Sequence, residues 1–208
     1  MAIKTIKQKF VVDESGSMLP QQDVIINGFN EQVATMRHEE LTSEVRYLVT
    51  LTKFSDKATI LYKDLPIYEV PNLTRITYQP SGWTALYDGI GMTIDTAEQG
   101  ETDTMVMIMT DGFENKSREW KKASIKTLID LRTKENKWGF IYFGANQDAF
   151  VEAQGLGVEN AVNYTMANTD EMMRSMSAVR SSYNVSAFDG TYCTSKLTSN
   201  VNIADLVK

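Results

Sequence analysis

The sequence contains 208 residues, of which 42% are hydrophobic and 23% are charged, and its formal net charge is −6. This composition is typical of a globular protein, and the length fits one ordinary domain whose core needs no disulfide or structural metal. The acidic balance argues against a nucleic-acid partner, because binding to a phosphate backbone usually requires a clustered basic surface.

Short apolar or β-branched runs alternate with segments of helical spacing along the chain. The strand-like runs are 8–12, 45–54, 58–63, 104–110 and 138–143, and the helix-like segments are 21–37, 85–98, 118–133 and 168–183. This alternation predicts a mostly parallel sheet that is covered by helices on both faces. The short gap between 45–54 and 58–63 predicts a hairpin that adds one antiparallel edge strand. We therefore expect a doubly wound α/β domain over residues 1–185, and a tail or extension over 186–208 that packs on it.

Polar residues follow the ends of three predicted strands. They are Asp13 to Ser17, Asp111-Gly112, and Gly144 to Asp148, and a fourth polar segment, Ser81 to Thr84, precedes the second helix. In doubly wound sheets, ligands bind beyond the carboxyl ends of the strands. Residues two apart in an extended segment project to the same side, so Asp13, Ser15 and Ser17 are expected to converge.

Five of these residues supply two carboxylates and three hydroxyls, all of them hard oxygen donors. They are Asp13, Ser15, Ser17, Thr84 and Asp111. Mg²⁺ prefers such donors, and Mn²⁺ and Ca²⁺ also accept them. Two carboxylates only balance the charge of a divalent cation, so the neutral hydroxyls would form much of its inner shell. Such an ion would still attract an anionic oxygen from outside.

The same residues lie in three motifs that resemble a known family. The motifs are Asp13-x-Ser15-x-Ser17, Gly82-Trp-Thr84-Ala-Leu-Tyr-Asp88 and Met109-Thr-Asp111-Gly-Phe-Glu-Asn115. In order and spacing they resemble the von Willebrand factor A domain with its metal-ion-dependent adhesion site (MIDAS), and the resemblance covers about residues 5 to 183. The run Ile141-Tyr-Phe-Gly144-Ala-Asn-Gln-Asp148 resembles the intracellular bacterial and phage branch associated with tellurite resistance.

This resemblance implies a function and a role for each residue. Direct ligation of the metal is implied for Ser15, Ser17 and Thr84, and water-mediated ligation for Asp13 and Asp111. A Glu or Asp of a partner protein would complete the octahedron, so the implied function is metal-dependent protein binding without catalysis. The chain departs from the family at Trp83, where a small residue is common.

Several alternatives compete with this hypothesis. Each segment alone fits a local role, because Asp and Ser are favoured in helix caps and turns. An EF-hand beginning at Asp13 would need Gly and Glu where the chain has Met18 and Val24. A Mg²⁺-dependent phosphotransferase of the haloacid-dehalogenase type would need a second acid at Ser15, and a hydroxyl cannot act as general acid near neutral pH. A scaffold or homo-oligomer with a vestigial metal site remains a further alternative.

The cysteine content and the N-terminus bear on the compartment. Cys193 is the only cysteine, which excludes an internal disulfide and fits a reducing compartment. The first residues lack the apolar core of a signal peptide, and no apolar run reaches the roughly 20 residues that span a bilayer. We expect a cytoplasmic protein that does not enter a membrane.

Overall fold

The computed structural model describes residues 3–95, 102–134, 137–145, 149–164 and 169–189. Its strands are β1 (Lys4–Asp13), β2 (Val45–Phe54), β3 (Ala58–Pro66), β4 (Asp103–Thr110), β5 (Trp138–Gly144) and β6 (Asn160–Asn163). Its helices are α1 (Gln22–Thr42), α2 (Leu86–Asp95), α3 (Lys122–Lys134), α4 (Ala149–Gly155) and α5 (Thr169–Asp189). Residues 190–208, and Cys193 with them, lie outside the described residues, so the division at 185 stays a prediction.

The strands form one six-stranded sheet in the order β3-β2-β1-β4-β5-β6. Strand β3 pairs antiparallel with β2, and every other pair is parallel. The prediction of a mostly parallel sheet with one antiparallel edge strand is therefore confirmed. The chain leaves β1 toward β2 on one side and returns to β4 on the other, so the direction of winding reverses between β1 and β4. Such a switch point opens a crevice at the carboxyl ends of the two strands.

Helices cover both faces of the sheet, as the alternating pattern predicted. The face that carries Phe10 packs against α1 and α5, and the face that carries Val11 packs against α2, α3 and α4. Every residue of β4 is buried, because helices cover both faces of this central strand, and its middle residues, 105–109, are all apolar. Among the described helices, none is apolar over a stretch long enough to cross a bilayer.

Three helices differ from their predicted bounds, and tertiary contacts explain two of them. Helix α5 continues to Asp189, beyond the predicted end at 183, and the predicted end of the second helix at 98 lies outside the described residues. Helix α1 continues to Thr42, where Glu40 accepts a hydrogen bond from the Tyr47 amide at 2.8 Å. Glu39 in the same turn forms a 3.0 Å ion pair with the buried Arg180. Helix α3 begins at Lys122 instead of 118, because the amides of residues 118 to 120 donate to the carboxylate of Asp88.

Strand β6 and helix α4 are absent from the sequence-based prediction. Strand β6 has only four residues, and two of them are asparagine. Helix α4 has seven residues, fewer than a periodic pattern needs to be recognised.

Candidate metal centre

Asp13 occupies the switch point between the two central strands. It is the last residue of β1, and the register that pairs Val12 with Met109 brings it opposite Thr110 at the end of β4. Its carboxylate is buried and held from two sides. Oδ1 accepts a hydrogen bond from the amide of Ser15 at 2.7 Å, and Oδ2 accepts one from the hydroxyl of Thr110 at 2.6 Å. The orientation of this carboxylate is therefore fixed by the sheet.

Two serine hydroxyls connect this buried end to the surface. The side-chain oxygens of Ser15 and Ser17 are 3.0 Å apart, and Ser17 donates to Oδ1 of Asp111 at 2.7 Å. Ser15 is buried, whereas Ser17 is exposed and Asp111 is half-buried. Four of the five predicted ligands thus lie in one hydrogen-bonded row that opens to solvent at Ser17 and Asp111.

Thr84, the fifth predicted ligand, approaches the row from the loop before α2. A Cβ atom on Gly112 would lie 3.4 Å from Oγ1 of Thr84, so this hydroxyl sits against the turn that follows Asp111. The amide of Thr84 donates to Oδ1 of Asn115 at 2.8 Å, and the amide of Asn115 donates to the carbonyl of Thr84 at 3.0 Å. Asn115 therefore fixes the loop that carries Thr84.

The segment from Ser81 to Thr84 folds over the end of β1. The amide of Gly16 donates to the carbonyl of Gly82 at 3.1 Å, and the amide of Ser81 donates to the carbonyl of Glu14 at 2.9 Å. Gly82 has a φ of 75°, and an added Cβ would lie 2.9 Å from the carboxylate of Asp56. A side chain at position 82 would be strained by the backbone and blocked by Asp56.

Burial dominates the electrostatics of the two acids. Desolvation raises the pKa of Asp13 from 3.8 to about 6, although hydrogen bonds from Thr110 and Ser15 oppose the effect. Burial also raises the pKa of Asp111, and the hydrogen bond from Ser17 opposes it. The ionised forms of both carboxyls are therefore costly here unless a positive charge lies nearby.

The donor set fits a hard divalent cation. It consists of two carboxylates and three hydroxyls, from residues that the fold brings to one edge of the sheet. Over the described residues, no group of three or more His, Cys, Asp or Glu side chains could hold a metal ion. Soft metals prefer sulfur and imidazole ligands, so the chemistry of this oxygen-only set favours Mg²⁺, Mn²⁺ or Ca²⁺.

Sequence reasoning missed two residues that hold Asp13 in place. Thr110 ends a strand whose preceding five residues are all apolar, and that isolated hydroxyl next to Asp111 was the available signal. The hydroxyl of Tyr78 donates to the backbone carbonyl of Asp13 at 2.6 Å, and no local pattern indicates this contact. In the polar segment predicted from Gly144 to Asp148, the amide of Ala145 donates to the carbonyl of Thr110 at 3.2 Å, and residues 146–148 lie outside the described residues.

Comparison with solved structures identifies the fold, although no protein-family model and no curated protein sequence matches the chain. Proximal thread matrix protein 1 from the mussel byssus has 17% identity and a TM-score of 0.60, over 83% of this chain and 45% of that one. This chain therefore spans less than half of the mussel protein. Another structure of the mussel protein, with a TM-score of 0.57, has a zinc-occupied MIDAS motif.

Two bacterial structures give the same result. A von Willebrand factor type A protein from Catenulispora acidiphila has 16% identity and a TM-score of 0.52, over 85% of this chain and 42% of that one. The vWF domain of the type V pili tip protein Mfa5 from Porphyromonas gingivalis has 12% identity and a TM-score of 0.53, over 85% of this chain and 96% of that one. The protein has the α/β fold of von Willebrand factor A domains.

Proposed function

We propose that the protein is a metal-dependent protein-binding module. The hydroxyls of Ser15, Ser17 and Thr84 would hold a divalent cation, and the carboxylates of Asp13 and Asp111 would balance its charge. A Glu or Asp carboxylate of a partner protein would take the remaining position. The observation that carries this proposal is the row of oxygens from Asp13 to Asp111, which lies at the switch point of the sheet and opens to solvent.

The charge balance supports a partner carboxylate as the missing ligand. Two carboxylates neutralise a divalent ion without making it anionic, and three hydroxyls add no charge. The open coordination position of a bound cation would still be an electropositive point on the surface of a protein of net charge −6. An acidic side chain would be drawn to that site and repelled by most of the remaining surface, which favours one defined acidic contact. Mg²⁺ is our first choice of ion, with Mn²⁺ or Ca²⁺ as alternatives.

Catalysis is not part of the proposal. In a phosphotransferase of the haloacid-dehalogenase type the position of Ser15 would carry the general acid, and a serine hydroxyl does not supply it. His38, the single histidine, is exposed on α1 within five residues of its end at Thr42. We expect no Mg²⁺-dependent hydrolysis of a generic phosphate ester, and turnover that disappears in Thr84→Ala would contradict this expectation.

Two finer points also remain proposals. A cytoplasmic location is supported by the single cysteine, which fits a reducing compartment. Membership of the tellurite-resistance branch is supported by the resemblance of the run from Ile141 to Asp148 alone.

A direct test uses Mg²⁺ and a short peptide with one glutamate among glycines and serines. Titration of ¹⁵N-labelled protein should show peptide binding in Mg²⁺ and none in EDTA. Thr84→Ala should abolish the effect, while Thr127→Ala, which removes a threonine hydroxyl from the outer face of α3, should not. Peptide binding that persists in EDTA would contradict the proposal. If the protein self-associates, if neither EDTA nor Thr84→Ala changes that self-association, and if no peptide binds, a scaffold with a vestigial metal site is favoured.

A further inference from the structure

A groove lies beside the candidate metal centre, between the turn that joins β2 to β3 and the loop before α3. Its volume is about 480 Å³, and its lining includes Asp56, Lys57, Met92, Lys116, Arg118 and Glu119. None of the five proposed metal-site residues lines it. We call this feature the basic groove, after Lys57, Lys116 and Arg118.

Trp83 joins the basic groove to the metal centre. It directly precedes Thr84, its amide donates to Oδ1 of Asp56 at 3.0 Å, and its side chain is 58% exposed. The ammonium of Lys116 lies 5.8 Å from the centre of the indole ring. Lys116 also follows Asn115, which holds Thr84 in place. A chain bound at the metal centre could therefore continue across the indole into the groove.

The charges of the groove differ from those of the molecule as a whole. Within the part of the chain that the structure describes, Lys57, Lys116 and Arg118 take part in no ion pair. The carboxylate of Asp88, which also lines the groove, accepts three backbone amide hydrogen bonds. The negative charge of Asp88 is thus stabilised by the amides of the loop before α3. The other lining charges are three cations, Lys57, Lys116 and Arg118, against two acids, Asp56 and Glu119. The groove is therefore locally positive on a protein of net charge −6, and it attracts anionic groups.

We propose that the basic groove binds a second acidic side chain of the same partner, so that the partner presents an acidic segment and not a single carboxylate. This inference rests on the proposed function of the metal centre. One carboxylate of the segment completes the shell of the cation, and a neighbouring one lies among Lys57, Lys116 and Arg118. The exposed ring of Trp83 supports the aliphatic stems between them.

An acidic peptide fits this groove better than a nucleic acid. Asp56 and Glu119 stand at the same groove, and they would repel a closely spaced row of phosphates. A nucleic-acid surface needs several cations aligned along the backbone without such interruptions. Carboxylates on a flexible peptide can be spaced to reach the cations and avoid both acids.

The test compares two peptides in Mg²⁺, hexaglutamate and the peptide with a single glutamate, and follows the Trp83 indole signal by NMR. Lys57→Glu and Arg118→Glu each reverse an exposed charge in the groove. Arg46→Glu, the matched control, reverses an exposed charge near the start of β2, at the opposite edge of the sheet. We expect each groove variant to weaken hexaglutamate binding about tenfold, which corresponds to about 1.4 kcal/mol. Binding of the single-glutamate peptide should stay within twofold of the wild type.

The outcomes separate this inference from the proposed function. If the groove variants weaken hexaglutamate no more than Arg46→Glu does, the inference is overturned while Mg²⁺-dependent binding of both peptides still supports the metal centre. If neither peptide binds in Mg²⁺, the proposed function fails and the inference fails with it. A thymidine hexanucleotide that binds more tightly than hexaglutamate, and is weakened by Arg118→Glu, would overturn the assignment to an acidic peptide.

Discussion

The hydroxyl of Ser17 donates a hydrogen bond to Oδ1 of Asp111 at 2.7 Å, although 94 positions of sequence separate the two residues. Ser17 lies in the short 3₁₀ helix that follows β1 (Gly16–Gln21), and Asp111 directly follows β4. The contact therefore spans the crevice between β1 and β4, which are neighbours only because the winding of the sheet reverses there. The hydroxyl and the carboxylate are thus close enough for one cation to contact both.

We predict that Asp13→Asn stabilises the protein in the absence of metal. The carboxyl of Asp13 is fully buried, and burial raises its pKa to about 6, so the charge that it carries near neutral pH costs free energy of folding. The asparagine amide could donate to the Thr110 hydroxyl, which would then donate to the carbonyl of Gly112, now 3.1 Å away. We expect a gain of about 1–3 kcal/mol in the free energy of unfolding, since one pKa unit corresponds to about 1.4 kcal/mol.

The same variant should lose its response to metal. Mg²⁺ at about 100 times its dissociation constant would stabilise the wild type by about 2.7 kcal/mol. Thermal unfolding of Asp13→Asn should not change on addition of Mg²⁺. Asp130→Asn, which removes an exposed carboxylate of α3, serves as the control and should keep the full response. A wild-type response in Asp13→Asn would argue against a metal at this carboxylate.

Metal affinity should fall as the pH drops through about 6, because the cation competes with a proton for Asp13. In the metal-free protein, the stability of the fold changes with pH in the opposite direction to the metal affinity. The folded-state pKa of Asp13 lies above its ordinary value of 3.8, so this group stabilises the fold at low pH, and the contribution is lost as the pH rises to about 6. Calorimetric titration with Mg²⁺ across this range measures the first effect. Equal affinity at about pH 5 and about pH 7 would contradict it.

Asn115→Ala should weaken metal binding without removing a ligand. The substitution leaves the amide of Thr84 without the side-chain acceptor that now lies 2.8 Å away. We expect a loss of about 1 kcal/mol in stability, typical of one hydrogen bond, and several-fold weaker Mg²⁺ binding as Thr84 loses its fixed position. Asn115→Asp keeps the acceptor oxygen and should retain wild-type affinity or exceed it. Calorimetry that shows unchanged Mg²⁺ affinity in Asn115→Ala would exclude a positioning role for this residue.

A separate prediction concerns the fold away from the site. Asp64 accepts hydrogen bonds from Lys7 at 2.8 Å and from the fully buried Lys9 at 3.2 Å. Asp64→Asn should destabilise the protein by about 3 kcal/mol in chemical denaturation, because it leaves a buried ammonium without its counter-charge. Asn tolerates the φ of 46° at this position, so the substitution adds no backbone strain to the measured change in stability.

The matched variant for this cluster is Lys9→Met combined with Asp64→Asn. It removes the buried charge of Lys9 together with its partner and should recover part of the lost stability. Recovery should be incomplete, because Lys7, 2.8 Å from Asp64, still loses its counter-charge. Mg²⁺ affinity should be unchanged in both variants. If Asp64→Asn alone is as stable as the wild type, the ion pair with Lys9 contributes nothing to the fold.

The sequence predicted the elements with strong periodic or apolar patterns. The buried run of β4 and the hairpin of β2 and β3 were recognised because their burial leaves a clear pattern in the sequence. The short β6, with an asparagine at each end, gives no such pattern. Helix α3 begins four residues later than predicted because Asp88 captures the preceding amides, which is a tertiary effect that local propensity does not contain.

The five candidate ligands could be predicted because each lies at a strand end or a helix start. Their supports could not, since those depend on contacts between distant loops. The side chain of Asn115, for example, holds the amide of Thr84, which lies 31 residues earlier in the chain. The raised pKa of Asp13 follows from burial at the switch point, which becomes visible only once β1 and β4 are neighbours.

Paramagnetic broadening by Mn²⁺ is the most direct test of the proposed metal centre. Substoichiometric Mn²⁺ added to ¹⁵N-labelled protein should first broaden the amide signals of Ser15, Ser17, Thr84 and Gly112. Excess Mg²⁺ should reverse the broadening, and Ser17→Ala and Thr84→Ala should each weaken it strongly. Broadening that begins elsewhere on the protein, or that both variants leave unchanged, would show that these residues do not hold the cation.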